Sequence, residues 1–209
     1  MRKVVILGGG SAGWLTAGVL ASELGGEGGI DITVLESPDV GAIGVGEGTW
    51  PSMRDTLRGI GIPETEFVRE CDAAFKQGSK FVGWADGGAH DAYYHPFVLP
   101  EGFPELQLGA TWAAHGGQPF AELASAQPAV CEAGLGPKQF ATPEYAAVAN
   151  YGYHLDAVKL GVLLRRHAVE RLGVHHVVDH MDAVVPAEDG SIAGLRTREH
   201  GVLEADLFV

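Results

Sequence analysis

The stretch Val4-Val5-Ile6-Leu7-Gly8-Gly9-Gly10-Ser11-Ala12-Gly13-Trp14 decides how the rest of the chain is read. Its first four residues are apolar and mostly β-branched, which predicts a buried parallel strand. Gly8, Gly10 and Gly13 then fall at the GxGxxG spacing before a helix predicted from about Gly13 to Leu24. In such a turn the first glycine permits the tight bend and the second lets the backbone approach a pyrophosphate. The third lets helix and strand pack closely, with the helix N-terminus aimed at the phosphates. Ser11, Ala12 and Trp14 open that helix and join the glycines as candidate dinucleotide contacts.

Among 31 glycines the spacing alone recurs by chance, so its surroundings decide. Ile32-Thr33-Val34-Leu35 reads as a second strand ending at Glu36, where a carboxylate can accept hydrogen bonds from a ribose. A phosphorylated ribose would be repelled there, which favours FAD or NAD over NADP.

The 209 residues suffice for one good core, or one domain plus part of another, and 46% of them are apolar. A formal charge of -13 argues against nucleic acid or an anionic membrane as partner, since either needs a basic surface. Cys71 and Cys131 fit neither a metal knuckle nor a disulfide framework, and a reducing cytoplasm is the expected setting. Met1-Arg2-Lys3 before an uncharged run superficially resembles a signal peptide. The glycines within that run weaken membrane insertion and are better explained by the strand and turn.

After the breaker Ser37-Pro38-Asp39-Val40 comes Gly41-Ala42-Ile43-Gly44-Val45-Gly46-Glu47-Gly48-Thr49-Trp50-Pro51, a glycine-rich loop able to lie against a ligand and offer it backbone N–H groups. Pro51 suits the first turn of a helix over about Ser52 to Gly59. A further helix is predicted from Pro63 to about Lys76, then a strand over Ser79 to Trp84. Lys76, following Ala73-Ala74-Phe75, is a candidate for an apolar pocket, as a nucleophile or a positioned hydrogen-bond donor.

Residues 85–145 lose clear periodicity but carry Tyr93, Tyr94, His95, Phe97, Phe103, Trp112, Phe120, Phe140 and Tyr145, which suit an aromatic substrate as well as an ordinary core. His90, Asp91 and His95 read as a solvated turn, and no metal site is expected. Tyr153-His154-Leu155-Asp156 leads into a helix to about Arg171, with Leu155, Val158, Val162, Leu163 and Val169 as its apolar stripe. Val174 to Val178 reads as the third parallel strand. Its neighbours His175 and His176 point to opposite faces and cannot share an ion. A β-meander follows with an Asp189-Gly190 hairpin signal, and Ala205 to Val209 begins the next parallel strand.

GGGSAGW at residues 8–14 with GVGEGTWPS at residues 44–52 resembles the flavin-dependent tryptophan halogenases, which carry GxGxxGW and GVGEATxP at these places. Gly48 stands where alanine is usual. The resemblance implies FAD binding by the first motif and flavin contact by Gly46, Glu47, Gly48 and Thr49. Lys76, Lys80-Phe81 and Trp84 are similar to the family's lysine pattern, in which the first lysine is catalytic. Lys76 is therefore the candidate catalytic residue and Lys80 its alternative. Tyr153-His154-x-Asp156 is similar to the family's entry into the following helix.

The expected fold is α/β: a Rossmann-like FAD-binding parallel sheet with a β-meander and an inserted, incomplete substrate region. Its expected parts are an FAD-binding first part (1–84), an inserted segment (85–150) and an FAD-binding second part (151–209). The resemblance implies halogenation of a tryptophan-like, indole-like or phenolic substrate with reduced FAD from a separate flavin reductase, oxygen, and chloride or bromide. The family's WxWxIP motif and partner glutamate lie beyond the residues matched, so the chain reads as an N-terminal part, expected to be inactive alone. A flavin monooxygenase and a non-catalytic FAD-binding module remain alternatives, and a homodimer is open. The GVGEGT loop disfavours an NAD-dependent dehydrogenase.

Overall fold

The structure, a computed structural model, describes residues 2–26, 29–41, 46–88 and 90–209. In chain order its elements are β1 (Arg2–Leu7), α1 (Ser11–Leu24), β2 (Ile30–Glu36), β3 (Glu47–Gly48), α2 (Ser52–Gly59), α3 (Glu64–Glu70), β4 (Ala74–Lys76), β5 (Gly78–Val82) and β6 (Ala92–Pro96). Three short helices follow, α4 (Leu108–His115), α5 (Phe120–Ala124) and α6 (Gln127–Glu132). The last elements are β7 (Gly152–Leu155), α7 (Ala157–Leu172), β8 (His175–Val178), β9 (Met181–Pro186), β10 (Ile192–Thr197), β11 (Val202–Glu204) and β12 (Leu207–Phe208).

Two compact units divide these elements. One comprises Met1–Glu47, Thr56–Ala73 and Leu155–Val209, the other Gly48–Asp55 and Ala74–His154. The expected boundary at residue 84 thus lies inside the second unit. The reason is pairing: β4 runs antiparallel to β7, with Phe75 opposite Tyr153, so residues 74–76 assemble with residues 152–154.

The first unit holds the parallel sheet, in the order β12-β1-β2-β8. Val5 lies opposite Thr33, Val34 opposite His176, and Val4 opposite Leu207. Strands read as continuous apolar runs are covered on both faces. The residues predicted from 174 to 178 and from 205 to 209 supply its outer members. The meander β9-β10-β11 closes over one face, where Val5, Leu35 and Leu195 form a buried cluster with Val177, Leu203 and Phe208 against it.

On the other face α7 packs against α1 and α3. Its buried side chains are Ala157, Leu160, Leu163, Leu164 and Ala168. This corrects the expected stripe: Val158, Val162 and Val169 are exposed, and the leucines carry the packing. Each fully buried leucine contributes about 1.5–3 kcal/mol relative to exposure, so the leucine face decides the orientation. Asp156 caps α7, its Oδ1 accepting from Lys159 N–H at 2.9 Å, and Gly173 ends it in the left-handed conformation at φ 71°.

The helix predicted from Pro63 to Lys76 is also corrected. It ends at Glu70, and Asp72 adopts φ 47°, which turns the chain out of the helix. Lys76 consequently stands at the end of a strand. The second unit contains β4, residue 48 of β3 and residues 152–154 of β7, the hairpin β5-β6 and helices α4 to α6. A buried amide ties it together. Gln127 Oε1 accepts from Phe97 and Val98 N–H, both at 2.9 Å, and its Nε2 donates to Asn150 O at 2.7 Å.

Candidate functional site

The glycine turn joins β1 to α1 in the first unit. Gly8 has φ 127°, a conformation closed to most side chains, and its N–H donates to Leu35 O at 2.9 Å. A Cβ on Gly13 would lie 1.9 Å from Gly8 O, so helix and strand approach as closely as they do because Gly13 has none. Gly10 differs in kind. A Cβ there meets no atom within 4 Å, so its bareness serves no contact within the described protein.

Gly10 is also the N-cap of α1, which has no side-chain cap and no acid in its first turn. The first-turn amides therefore lack the carboxylate that α7 receives from Asp156. An open approach and uncapped amides at the positive end of a helix dipole fit a phosphate.

Beside this turn lies a cavity of about 660 Å³ bordered by Gly8 to Ala12, Trp14, Glu36, Glu47, Val158, Val162 and Arg165, among others. That volume lies within the usual range for small-molecule sites. Glu36 ends β2 at the cavity, its Oε2 2.8 Å from His176 Nε2 and 3.8 Å from Arg165 Nη1. Gly9, which the three-glycine spacing leaves unassigned, matters here. A Cβ on it would lie 2.1 Å from the Glu36 carboxyl carbon, so its absence lets that side chain fold across the turn.

Trp14 is a different case from its neighbours. It borders the cavity, yet it is 1% exposed and its ring packs edge-on to His176 with centroids 5.0 Å apart. Ser11 Oγ donates to Ala157 O at 3.5 Å. His175 and His176 pair with Asp31 and Glu36 respectively, in agreement with their alternation on β8.

In the second motif, Ala42, Ile43, Gly44 and Val45 lie outside the described residues. Gly46 lies near Leu155 O, a Cβ on it falling 3.4 Å from that oxygen, and Glu47 is exposed at the cavity. Thr49 is committed to the backbone: its N–H donates to Tyr153 O at 2.8 Å, and its Oγ1 accepts from Tyr153 N–H at 3.0 Å.

The lysine cluster belongs to the second unit. Lys76 Nζ stands 5.6 Å from the ring centre of Phe97 and 6.0 Å from that of Trp50, and these two rings lie 5.4 Å apart. His95 meets Trp50 edge-on. Lys76 makes no ion pair among the described residues. A Cβ on Gly48 would lie 3.1 Å from Lys76 Nζ and 3.4 Å from the His154 ring, so glycine in place of alanine leaves room beside the ammonium.

Lys80, the alternative, is bound to Glu132 at 2.5 Å, and Tyr94 bonds the same carboxylate. The Glu132 contact, then that of Tyr94, raises the pKa of Lys80. Other aromatics of the segment pack among themselves, Phe81 stacking on Tyr93 and Trp112 meeting Phe120. No group of three metal-ligating side chains occurs among the described residues. Asp91 Oδ2 instead accepts from the N–H groups of Ala85, Asp86 and Gly87.

Of the residues singled out from sequence, Gly8, Gly10 and Glu36 border the cavity, and Lys76 lies among the rings of the second unit. Arg165, Val158 and Val162 also border the cavity and were not singled out as site residues. A signal for the valines was present, since helix α7 has two apolar stripes and only one can face the core.

The family described as tryptophan halogenase matches residues 3–209. The tryptophan 6-halogenase of Streptomyces albogriseolus is 37% identical over all of this chain and 42% of its own length. The tryptophan 7-halogenase of Lentzea aerocolonigenes is 36% identical over 99% of this chain and 41% of its own. The crystal structure of a tryptophan halogenase from Shewanella frigidimarina superposes with a TM-score of 0.93 at 45% identity, over all of this chain and 42% of that one. The chain thus spans about 42% of the length of the relatives it matches. Neither unit falls outside a match that begins at residue 3 and ends at residue 209, and the chain belongs to the tryptophan halogenase family.

Proposed function

We propose that the protein halogenates an electron-rich aromatic substrate, tryptophan or an indole- or phenol-like compound, using reduced FAD, oxygen and chloride or bromide. A separate flavin reductase would supply the reduced FAD, and the proposed setting is the cytoplasm, to which two free cysteines are suited. Family membership supports the reaction class. One relative by structure, a tryptophan C-6 flavin-dependent halogenase (chlorinase) from taromycin biosynthesis, has a TM-score of 0.88 at 34% identity.

The observation that carries the reading is Lys76: an amine without a carboxylate partner among the described residues, set against the rings of Trp50 and Phe97. The cofactor fits the other unit. Uncapped α1 amides and the open face of Gly10 would hold a pyrophosphate, and Glu36 would accept from a ribose hydroxyl.

The chemistry that bound reduced FAD supplies is the activation of oxygen by which halide becomes hypohalous acid. Lys76 Nζ would then hold that species by hydrogen bond or, as the free amine, exchange an N–H for an N–halogen bond while the O–halogen bond breaks and water leaves, and would present the halogen to the substrate ring. Trp50, 61% exposed, offers a flat face on which an aromatic substrate can stack.

The experiment is Lys76→Ala in the intact protein. Flavin oxidation is expected to continue while halogenated product disappears. Product at the parental rate would remove Lys76 from the mechanism. A parental enzyme equally active without chloride or bromide would replace halogenation with direct monooxygenation.

A further inference from the structure

The groups of the lysine site come from three separate stretches of the second unit: Lys76 from the end of β4, Phe97 from just beyond β6, and Trp50 from the turn before α2. Apolar contact is non-directional and holds such groups loosely, whereas hydrogen bonds fix distance and angle. One buried side chain brings hydrogen bonds to all three stretches, directly or through its partners.

Gln127, 2% exposed, uses its whole bonding capacity inside this unit. A primary amide has two lone pairs and two N–H donors. Both lone pairs accept from Phe97 and Val98 N–H, and Nε2 donates to Asn150 O at 2.7 Å and to Gln77 Oε1 at 3.4 Å. Gln77 is the single residue between Lys76 and β5. Its backbone O accepts from Phe97 N–H at 3.1 Å, and its Nε2 donates to Leu135 O at 2.8 Å. Asn150 Nδ2 donates to Phe97 O at 2.9 Å, so the Phe97 backbone is held by both its N–H and its C=O. Asn150 Oδ1 accepts from the Arg54 guanidinium, whose Nε donates at 3.4 Å to the carbonyl of Pro51, the residue after Trp50.

We propose that Gln127 is a positioning residue for halogen transfer: through Gln77 and Asn150 it fixes the separation of the Lys76 amine from the Phe97 and Trp50 rings. The proposal rests on the reading of Lys76 as the amine that delivers the halogen. Delivery forms a carbon–halogen bond on the substrate ring, and the ring proton leaves as the amine regains its N–H. A haloamine kept from the ring reacts with water instead, the N–halogen bond breaking as N–H and O–halogen bonds form, and hypohalous acid is released. A misplacement of about 1 Å can cost about 100-fold in rate, enough for the second course to win.

The test uses the intact protein with chloride or bromide and tryptophan, indole or phenol as probe substrate. It reads halogenated product, flavin oxidised, and free hypohalous acid captured by monochlorodimedone. Gln127→Met keeps the length of the side chain and removes its hydrogen bonds. The melting temperature is expected to fall by about 5–15 °C. Flavin oxidation should continue at the parental rate while product per flavin oxidised falls about 10- to 100-fold, captured hypohalous acid making up the difference. Leu195→Ala, a core change in the first unit, should lose stability in a similar range and keep the parental ratio, so instability alone does not move the readout. Asn150→Ala leaves Gln127 in place, cuts the Phe97 O and Arg54 contacts, and should lower the ratio by a smaller factor. It decides the matter if Gln127→Met shows no cooperative melting.

If Lys76→Ala abolishes product while Gln127→Met and Asn150→Ala keep the parental ratio, the amide is structural and the proposal fails with the lysine reading intact. Parallel loss of flavin oxidation and product in Gln127→Met, or an equally low ratio in Leu195→Ala, would overturn it in the same way. If the parent forms no product, or Lys76→Ala forms it at the parental rate, the lysine reading and the proposal fail together.

Discussion

Gly10→Val and Gly13→Ala, three residues apart in one turn, are expected to fail in opposite ways. At Gly13 an added Cβ would sit 1.9 Å from Gly8 O, a backbone atom that cannot swing aside. Relief requires α1 to withdraw from β1 by about 1 Å or more, and overpacking of this kind costs about 1–3 kcal/mol. With a rigid neighbour the upper end applies. For a chain of this size each kcal/mol lowers the melting temperature by about 2–4 °C, so Gly13→Ala should lose about 6–12 °C.

At Gly10 the backbone is extended, φ -77° and ψ 178°, which valine adopts readily, and the space beyond is open. Losing glycine from an N-cap costs up to about 1 kcal/mol, and narrowing the unfolded ensemble returns about 0.4–1 kcal/mol. Stability should therefore change by less than about 1 kcal/mol. The isopropyl group, however, occupies the approach to the α1 amides. FAD affinity should fall at least about 100-fold, equivalent to about 2.7 kcal/mol. Thermal denaturation and a flavin-fluorescence titration of parent and both variants read the two quantities separately. Parental FAD binding by Gly10→Val, or its unfolding alongside Gly13→Ala, would refute the division of labour.

The remaining expectations concern stability and reactivity. Although burial raises it, the Asp179 carboxyl is held well below the ordinary range by the His200 imidazole and by the N–H groups of Glu199 and His200. A depressed carboxyl stabilises fully above its unfolded value and loses that contribution as pH falls toward the native one. The stability gap between parent and Asp179→Asn should thus narrow as pH falls below about 5, and a constant gap would argue against it. Burial, then the charges of Glu70, Asp156 and Asp72, push the Cys71 thiol up to about 12. A thiol-disulfide reagent at neutral pH should reach Cys71 only after unfolding, and rapid labelling of native Cys71 would contradict this. Thr49→Val strands the Tyr153 N–H and should cost about 1–3 kcal/mol in denaturant, with Thr49→Ser restoring most of it. Equal losses for valine and serine would remove the hydroxyl from the account.

The parallel sheet was legible because its strands are apolar runs between strong turn signals, and β1, β2, β8 and β12 all fall where those runs predict. Helix α2 likewise matched the Pro51 signal at both ends. The misreadings share a cause. Residues 71–76 continue a helical composition, but Asp72 leaves the helix, and β4 forms because β7, some 77 residues later, pairs with it. In α7 the valines and leucines give two apolar stripes, and periodicity cannot say which one meets α1. Glu36 and the three spaced glycines could be singled out because a motif fixes their spacing. Gly9 and Arg165 could not, since the contacts each makes with Glu36 come only with folding. Lys76 entered through family resemblance, and its aromatic surroundings come from residues 50 and 97, which no local pattern links to it.

The Gln127 amide has a consequence for how the chain reaches this arrangement. It joins Phe97, Val98 and Asn150 to α6, and Phe97 N–H is shared between Gln127 Oε1 and Gln77 O. None of these links lies within a single element. The second unit must therefore close loops of 20 to 30 residues around one side chain before Phe97, and with it the surroundings of Lys76, is fixed. Contacts of such sequence separation form late and slowly. During refolding, the aromatic setting of the lysine should be among the last parts to acquire native order, well after the local strand-turn-helix that opens the chain.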